Sequence, residues 1–227
     1  MKDKIAKLKF AESKKLSTYV VVSFVLILFL DVIAYFLVLN HVPNLISKYA
    51  WWILYLDISV VTLAGALWYY ASYKGYVSCM ASMMIGMTLG MQTGMMLGAV
   101  FGAVNGYFIG GMIGMLLGTA IGFITGRNYI MGAVQGMMSG LMGGTMGAMI
   151  TVMMFTDHVL LFMPFYMVIN VAILIGFVYM YHDEIIKDNA EVVKKHISFG
   201  SFIFWCIIAT IILTAIMIYA PKSVWFG

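Results

Sequence analysis

Methionine is the residue type whose number and spacing point to chemistry in this chain. It occurs 22 times in 227 residues, beside two cysteines and four histidines. At about 100° per helical residue, Met80, Met84, Met87, Met91 and Met95 fall within an arc of about 80°. Met131, Met138, Met142, Met146, Met149 and Met153 form a second stripe of about the same width. Thioethers are soft, neutral donors, and Cu(I) prefers sulfur and accepts few ligands. Methionines at i,i+4 lie about 6 Å apart on one helix face, so pairs from two facing helices would surround a soft cation. Cys79 stands one residue before Met80, at the head of the first stripe. The metal-ligating candidates are therefore Cys79, Met80, Met84, Met87, Met91, Met95, Met138, Met142, Met146 and Met149. Cu(I) is the ion such a path suits, and no resident cofactor follows from the sequence. The competing account is packing, because methionine is unbranched and adaptable and fills irregular gaps or faces lipid.

Asp31 and Asp57 form the second candidate set. They are the acidic residues well inside apolar segments, where a carboxylate is costly and by default points to a proton or cation relay. The topology below puts them at similar depth, so they would share a proton if their helices pack together. Otherwise each is protonated and hydrogen-bonds a neighbouring helix. Gln92, Asn105, Gln135 and Asn170 read as interhelical hydrogen-bond partners. His41, Asp157, His158, His182, Asp183, Glu184 and His196 read as solvated link residues. No Walker motif, HExxH or strand-then-GxGxxG context occurs, and no nucleophile–base pair is recognisable. An enzyme is not expected.

The elements that position these residues must be membrane helices. Hydrophobic residues make up 63% of the chain and charged residues 10%, with a mean hydropathy of +1.01. A water-soluble domain carries roughly a quarter charged residues, so the solvent here is a lipid bilayer. The expected fold class is all-α, a polytopic transmembrane bundle of about seven helices of roughly 20 apolar residues each. They are predicted near Ser17–Asn40, Ala50–Ser72, Tyr76–Val104, Tyr107–Thr125, Tyr129–Phe155, His158–Tyr181 and Ile197–Tyr219. Read as one helix, Tyr76 to Thr125 would be about 75 Å long, against a hydrocarbon layer of about 30 Å. It must turn back, and Asn105-Gly106 is the turn-like dipeptide near its middle. The chain then divides into a basic segment (1–16), a two-helix hairpin (17–75), a Gly/Met-rich three-helix core (76–155) and a C-terminal two-helix segment (156–227). The first 16 residues are polar and basic, and no small-residue cleavage site follows the first apolar run, so that run is expected to remain as a span. Trp51, Trp52, Trp68, Tyr69, Tyr70 and Trp225 fit interfacial belts.

Eleven basic residues (Lys2, Lys4, Lys7, Lys9, Lys14, Lys15, Lys74, Arg127, Lys187, Lys194 and Lys195) fall on one side of this topology, against Lys48 and Lys222 on the other. The positive-inside rule makes the N-terminus cytoplasmic and the C-terminus outside, in a multi-pass protein of the cell membrane. The lysines flank spans, so the net charge of +4 marks no nucleic-acid surface.

Glycine recurs at every fourth position from Gly86, Gly90, Gly94 and Gly98 through to Gly126, and again at Gly132, Gly136, Gly140 and Gly144. In water each would weaken a helix by about 1 kcal/mol relative to alanine. In lipid no solvent replaces the helical hydrogen bonds, so the helix persists, and small-xxx-small rows let backbones approach closely. A glycine-zipper inner bundle of the third, fourth and fifth helices is expected, and GxxxG faces would also serve a homo-oligomer. On the fifth helix the glycine face is centred about 140° from the methionine face.

Met83-x3-Met87-x3-Met91-x3-Met95, with the Gly86–Gly102 row, resembles the eukaryotic high-affinity copper transporters, whose membrane helices carry MxxxM and GxxxG. Those transporters have three spans and a methionine-rich extracellular tail, whereas this chain reads as seven spans without one. The stretches GMTLGMQTGMMLGAVFGAVNG and GMMSGLMGGTMGAMI are similar to uncharacterised methionine- and glycine-rich membrane proteins of bacteria and archaea. The expected function is transport or handling of a soft cation such as Cu(I) along methionine-lined helices. The alternative is a non-transporting structural or assembly protein with methionine as a packing residue.

Overall fold

A chain this apolar must satisfy its backbone N–H and C=O groups within its own elements, which helices do without help from water. A computed structural model describes residues 22–26, 45–74, 77–154, 158–183, 193–194 and 199–221. Its helices are α1 (22–26), α2 (Leu45–Ser72), α3 (Cys79–Asn105), α4 (Tyr107–Gly126), α5 (Ile130–Met153), α6 (Val159–Tyr181) and α7 (Phe199–Tyr219). One two-residue antiparallel pairing, β1 (Tyr73–Lys74) with β2 (Val193–Lys194), sets Tyr73 opposite Lys194 and Lys74 opposite Val193. Two helix starts differ from the sequence expectation. Helix α2 begins earlier, at Leu45, and α3 begins later, at Cys79, because Ser78 caps it by accepting the Ala81 N–H at 3.2 Å.

Among the described residues five helices are long and apolar enough to cross a membrane: α2 (from Ala50), α3, α4, α6 and α7 (from Gly200). Helix α5 is not among them, since its six glycines with Gln135, Ser139, Thr145 and Thr151 dilute its hydropathy. It nevertheless lies parallel to α3, with Gly86 against Gly132 near one end and Gly102 against Ala148 and Thr151 near the other. Helix α5 thus crosses the same depth as α3.

The reversal between α3 and α4 falls at the Asn105-Gly106 dipeptide. Gly106 has φ 89 and ψ 170, a backbone that glycine adopts readily and other residues rarely do. At one end of the bundle Tyr70 donates to the Thr125 carbonyl at 2.9 Å, and Ser82 donates to the Gly126 carbonyl at 3.0 Å. There too Tyr181 donates to the Tyr73 carbonyl at 2.7 Å. At the other end the Asn105 carboxamide Nδ2 lies 3.2 Å from the carbonyls of Met217, in the last turn of α7, and of Ala220 and Pro221 just beyond it. These contacts fix an up-and-down order from α2 to α7.

Two kinds of packing meet at α3. On one side α2, α3 and α6 bury large side chains against one another, among them Trp52, Leu56, Ile85, Leu89, Phe101 and Met163. On the other, α3, α4 and α5 make the closest helix contacts among the described elements, and the buried residues of α4 and α5 are glycine, alanine, serine and threonine. That half is held by backbone-to-backbone van der Waals contact.

Candidate functional site

The glycine contacts are close enough to exclude any side chain. A Cβ at Gly90 would lie 2.7 Å from the Gly136 carbonyl oxygen and 3.0 Å from Gly122 Cα. At Gly86 it would lie 2.9 Å from the Gly132 carbonyl oxygen, and at Gly98 it would lie 2.7 Å from that of Gly144. At Gly94 it would lie 2.5 Å from the Gly144 nitrogen. At Gly122 and Gly136, at Gly126 and Gly132, and at Gly140 and Gly118, the added carbon would overlap the opposing backbone. Two glycines outside the four-residue rows matter as much. Gly143 and Gly147 seat α5 on the backbone carbonyls of Met91 and Met95. Helix α5 touches two neighbours and needs a small face for each, and the Gly143-x3-Gly147 pair was the readable signal of the second.

The methionine stripes lie on the outside of this unit. Met80, Met84, Met87, Met138, Met142, Met146 and Met149 are between 41% and 71% exposed. Met91 and Met95 are half-buried, and Cys79 is exposed. The two stripes open to the same side, since Gln135 Nε2 on α5 reaches Met87 Sδ on α3 at 3.8 Å. The inward-facing sulfurs belong to other residues. Met96, Met163, Met167 and Met217 are buried, and Ser59 Oγ lies 3.7 Å from Met167 Sδ. Among the described residues no three His, Cys, Asp or Glu side chains are grouped as a metal site.

Asp57 is fully buried in α2. It lies one turn before Val61, which packs against Phe202 and Cys206 of α7. Asp31 lies outside the described residues, as do His41, Asp157, Glu184, His196 and Trp225. Of the four amides, Asn105 bridges to α7 and Gln135 to α3. Asn170 instead donates to the Tyr166 carbonyl of its own helix at 2.7 Å, so its bond is intrahelical. Gln92 is buried, and its Oε1 has no hydrogen-bond partner among the described residues.

The end of the bundle that carries β1 and β2 holds an aromatic group that includes Tyr69 and Tyr70, two of the residues expected in an interfacial belt, with Tyr73 and Tyr181. Tyr69 packs on Tyr73 and Tyr181 with ring centroids 5.1 and 6.0 Å apart, and Tyr70 packs on Tyr181 at 5.7 Å. Tyr69 Oη and His182 Nδ1 lie 3.1 Å apart, so the partly exposed His182 is a hydrogen-bond partner of this group. Trp52 is likewise buried, while Trp51 beside it is exposed. His158 is exposed and left-handed at φ 52, where it precedes α6.

Long apolar helices with exposed Leu, Ile, Phe and Met side chains around them define a multi-pass α-helical membrane protein in contact with a lipid bilayer. Beyond that class, no protein-family model, curated protein or solved structure matches the chain.

Proposed function

We propose that this chain is a non-transporting assembly protein of the cell membrane, in which a rigid α3–α5 unit presents a methionine-rich face to a second copy. The observation that carries this reading is the division of faces. The glycine faces are occupied within the chain, with backbones in contact from Gly86 to Gly102, while the thioethers turn outward. Contact between copies would then use the methionine face rather than GxxxG. Methionine suits such a surface because its flexible thioether adapts to a partner's contour. The test is oxidative cross-linking in native membranes, in a background carrying Cys79→Ser and Cys206→Ala. Met142→Cys should give a dimer-sized product, and Leu116→Cys on the exposed side of α4 should not. Monomer alone from Met138→Cys, Met142→Cys and Met146→Cys would remove the reading.

A second reading, handling of Cu(I) or Ag(I) on the outer stripes, is favoured by the Gln135–Met87 contact, which joins the two stripes into one sulfur-rich face. It requires that replacing Met138, Met142 and Met146 with leucine lowers Ag(I) binding while the fold is kept.

We place the N-terminus in the cytoplasm and the C-terminus outside by the lysine and arginine bias. The Tyr70–Thr125 contact and the β1–β2 pairing support it by gathering Lys74, Arg127 and Lys194 at one end of the bundle. Lys187→Cys in the cysteine-free background should resist an impermeant maleimide in intact cells. Labelling from outside would reverse the orientation.

A further inference from the structure

Three methionines turn inward at one level of the core that α3 and α6 share with α2, away from both outer stripes. The level is marked by the Tyr166 hydroxyl, which donates to the Met95 carbonyl at 3.2 Å. Met96 follows Met95 on α3, while Met163 and Met167 stand three residues before and one residue after Tyr166 on α6. All three therefore sit within one helical turn, about 5.4 Å, of a single interhelical hydrogen bond. Met96 and Met163 are wholly buried, Met167 is 3% exposed, and the three belong to one continuous packed cluster. Gln92 lies one turn before Met96 on the same face of α3. It is 4% exposed, and its carboxamide Oε1 is buried with no hydrogen-bond partner among the described residues.

We propose that Met96, Met163 and Met167, together with the Gln92 carboxamide oxygen, form a buried site for one soft monovalent cation in the core shared by α2, α3 and α6. Thioethers select Cu(I) or Ag(I) over harder ions. The charge is limited to one because these four ligands are neutral, and the cost of burying an ion grows steeply with its charge. The Gln92 oxygen brings a dipole whose desolvation a bound cation would offset. Ser59 also donates to the Tyr55 carbonyl at 2.7 Å, so its longer 3.7 Å approach to Met167 Sδ leaves a sulfur lone pair free. The site goes beyond the assembly reading and does not depend on it. It also differs from the second reading, because none of its ligands is on the outer stripes.

The experiment is titration of the full-length protein in detergent with Ag(I) alone, read by equilibrium binding and by thermal melting. The wild type should bind and melt higher as Ag(I) is added, as any ligand of the folded state requires. Met163→Leu with Met167→Leu should keep the fold, since leucine and methionine have similar volume, and should weaken binding by about tenfold or more. Gln92→Leu should weaken binding by less, and the Met138, Met142 and Met146 triple leucine variant should leave this site unchanged. If the double variant fails to fold, Met96→Leu and Met163→Leu alone are compared with the wild type. Absence of Ag(I) binding by the wild type, equal binding by the inner-site variants, or loss confined to the outer triple variant would each overturn the proposal. The last outcome would leave the outer-stripe reading standing.

Discussion

Gly140→Leu in α5 should leave little or no folded protein. A Cβ at Gly140 overlaps the Gly118 carbonyl group and approaches the Thr119 nitrogen. Those are backbone atoms of α4, and α4 is itself pressed against α3 through Gly114 and Gly110. A flexible side chain would swing aside, but a packed helix must translate as a body and lose its other contacts. Overpacking in adaptable cores costs about 1–3 kcal/mol. Here the expected cost exceeds about 3 kcal/mol, against a total stability of about 5–15 kcal/mol for a typical domain. Gly136→Leu should behave alike, since its Cβ overlaps the Gly122 backbone. The control is Gly111→Ala, next to Gly110, where an added Cβ meets nothing within 4 Å. It should melt at about the wild-type temperature, because the added methyl group displaces no neighbouring atom. Wild-type melting of both leucine variants in detergent would show that these faces do not meet.

The second large effect is expected at Asn105. Its Nδ2 lies 3.2 Å from three carbonyls, that of Met217 in the last turn of α7 and those of Ala220 and Pro221 just beyond it. Asn105→Leu removes their donor at a position buried inside the bundle. A hydrogen bond between membrane helices contributes about 0.6–2 kcal/mol, so loss of this junction should cost about 2–3 kcal/mol. For a chain of this size, that is a fall in Tm of about 5–10 °C. Asn105→Asp should be no better, since an ionised carboxylate has no proton to donate and would face the same oxygens. An unchanged Tm for Asn105→Leu would mean that α7 is not held to the α3–α4 turn.

Much of the fold was legible because it follows from length and backbone chemistry. An apolar stretch too long for one bilayer crossing has to reverse, and Asn105-Gly106 was the dipeptide able to do it; Gly106 at φ 89 is that reversal. Four-residue glycine spacing was likewise enough to nominate α3, α4 and α5 as the tightly packed helices. Asp31 and the greater part of the first predicted helix lie outside the described residues, so the structure does not place the Asp31–Asp57 pair.

The methionines mark the boundary of what could be read. Periodicity alone establishes that the glycines and methionines of α5 occupy different faces, because angular separation on a helix depends only on residue number. It does not establish which apolar face turns inward. In water, hydrophobicity separates inside from outside, but lipid tails are as apolar as a protein core, so a helix shows no such contrast. Only the tertiary structure, by pressing the Gly122, Gly136 and Gly140 backbones together, decided that Met138, Met142 and Met146 face out. The same packing turned Met96, Met163 and Met167 inward, although the spacing of Met163 and Met167 is the same as that of Met138 and Met142.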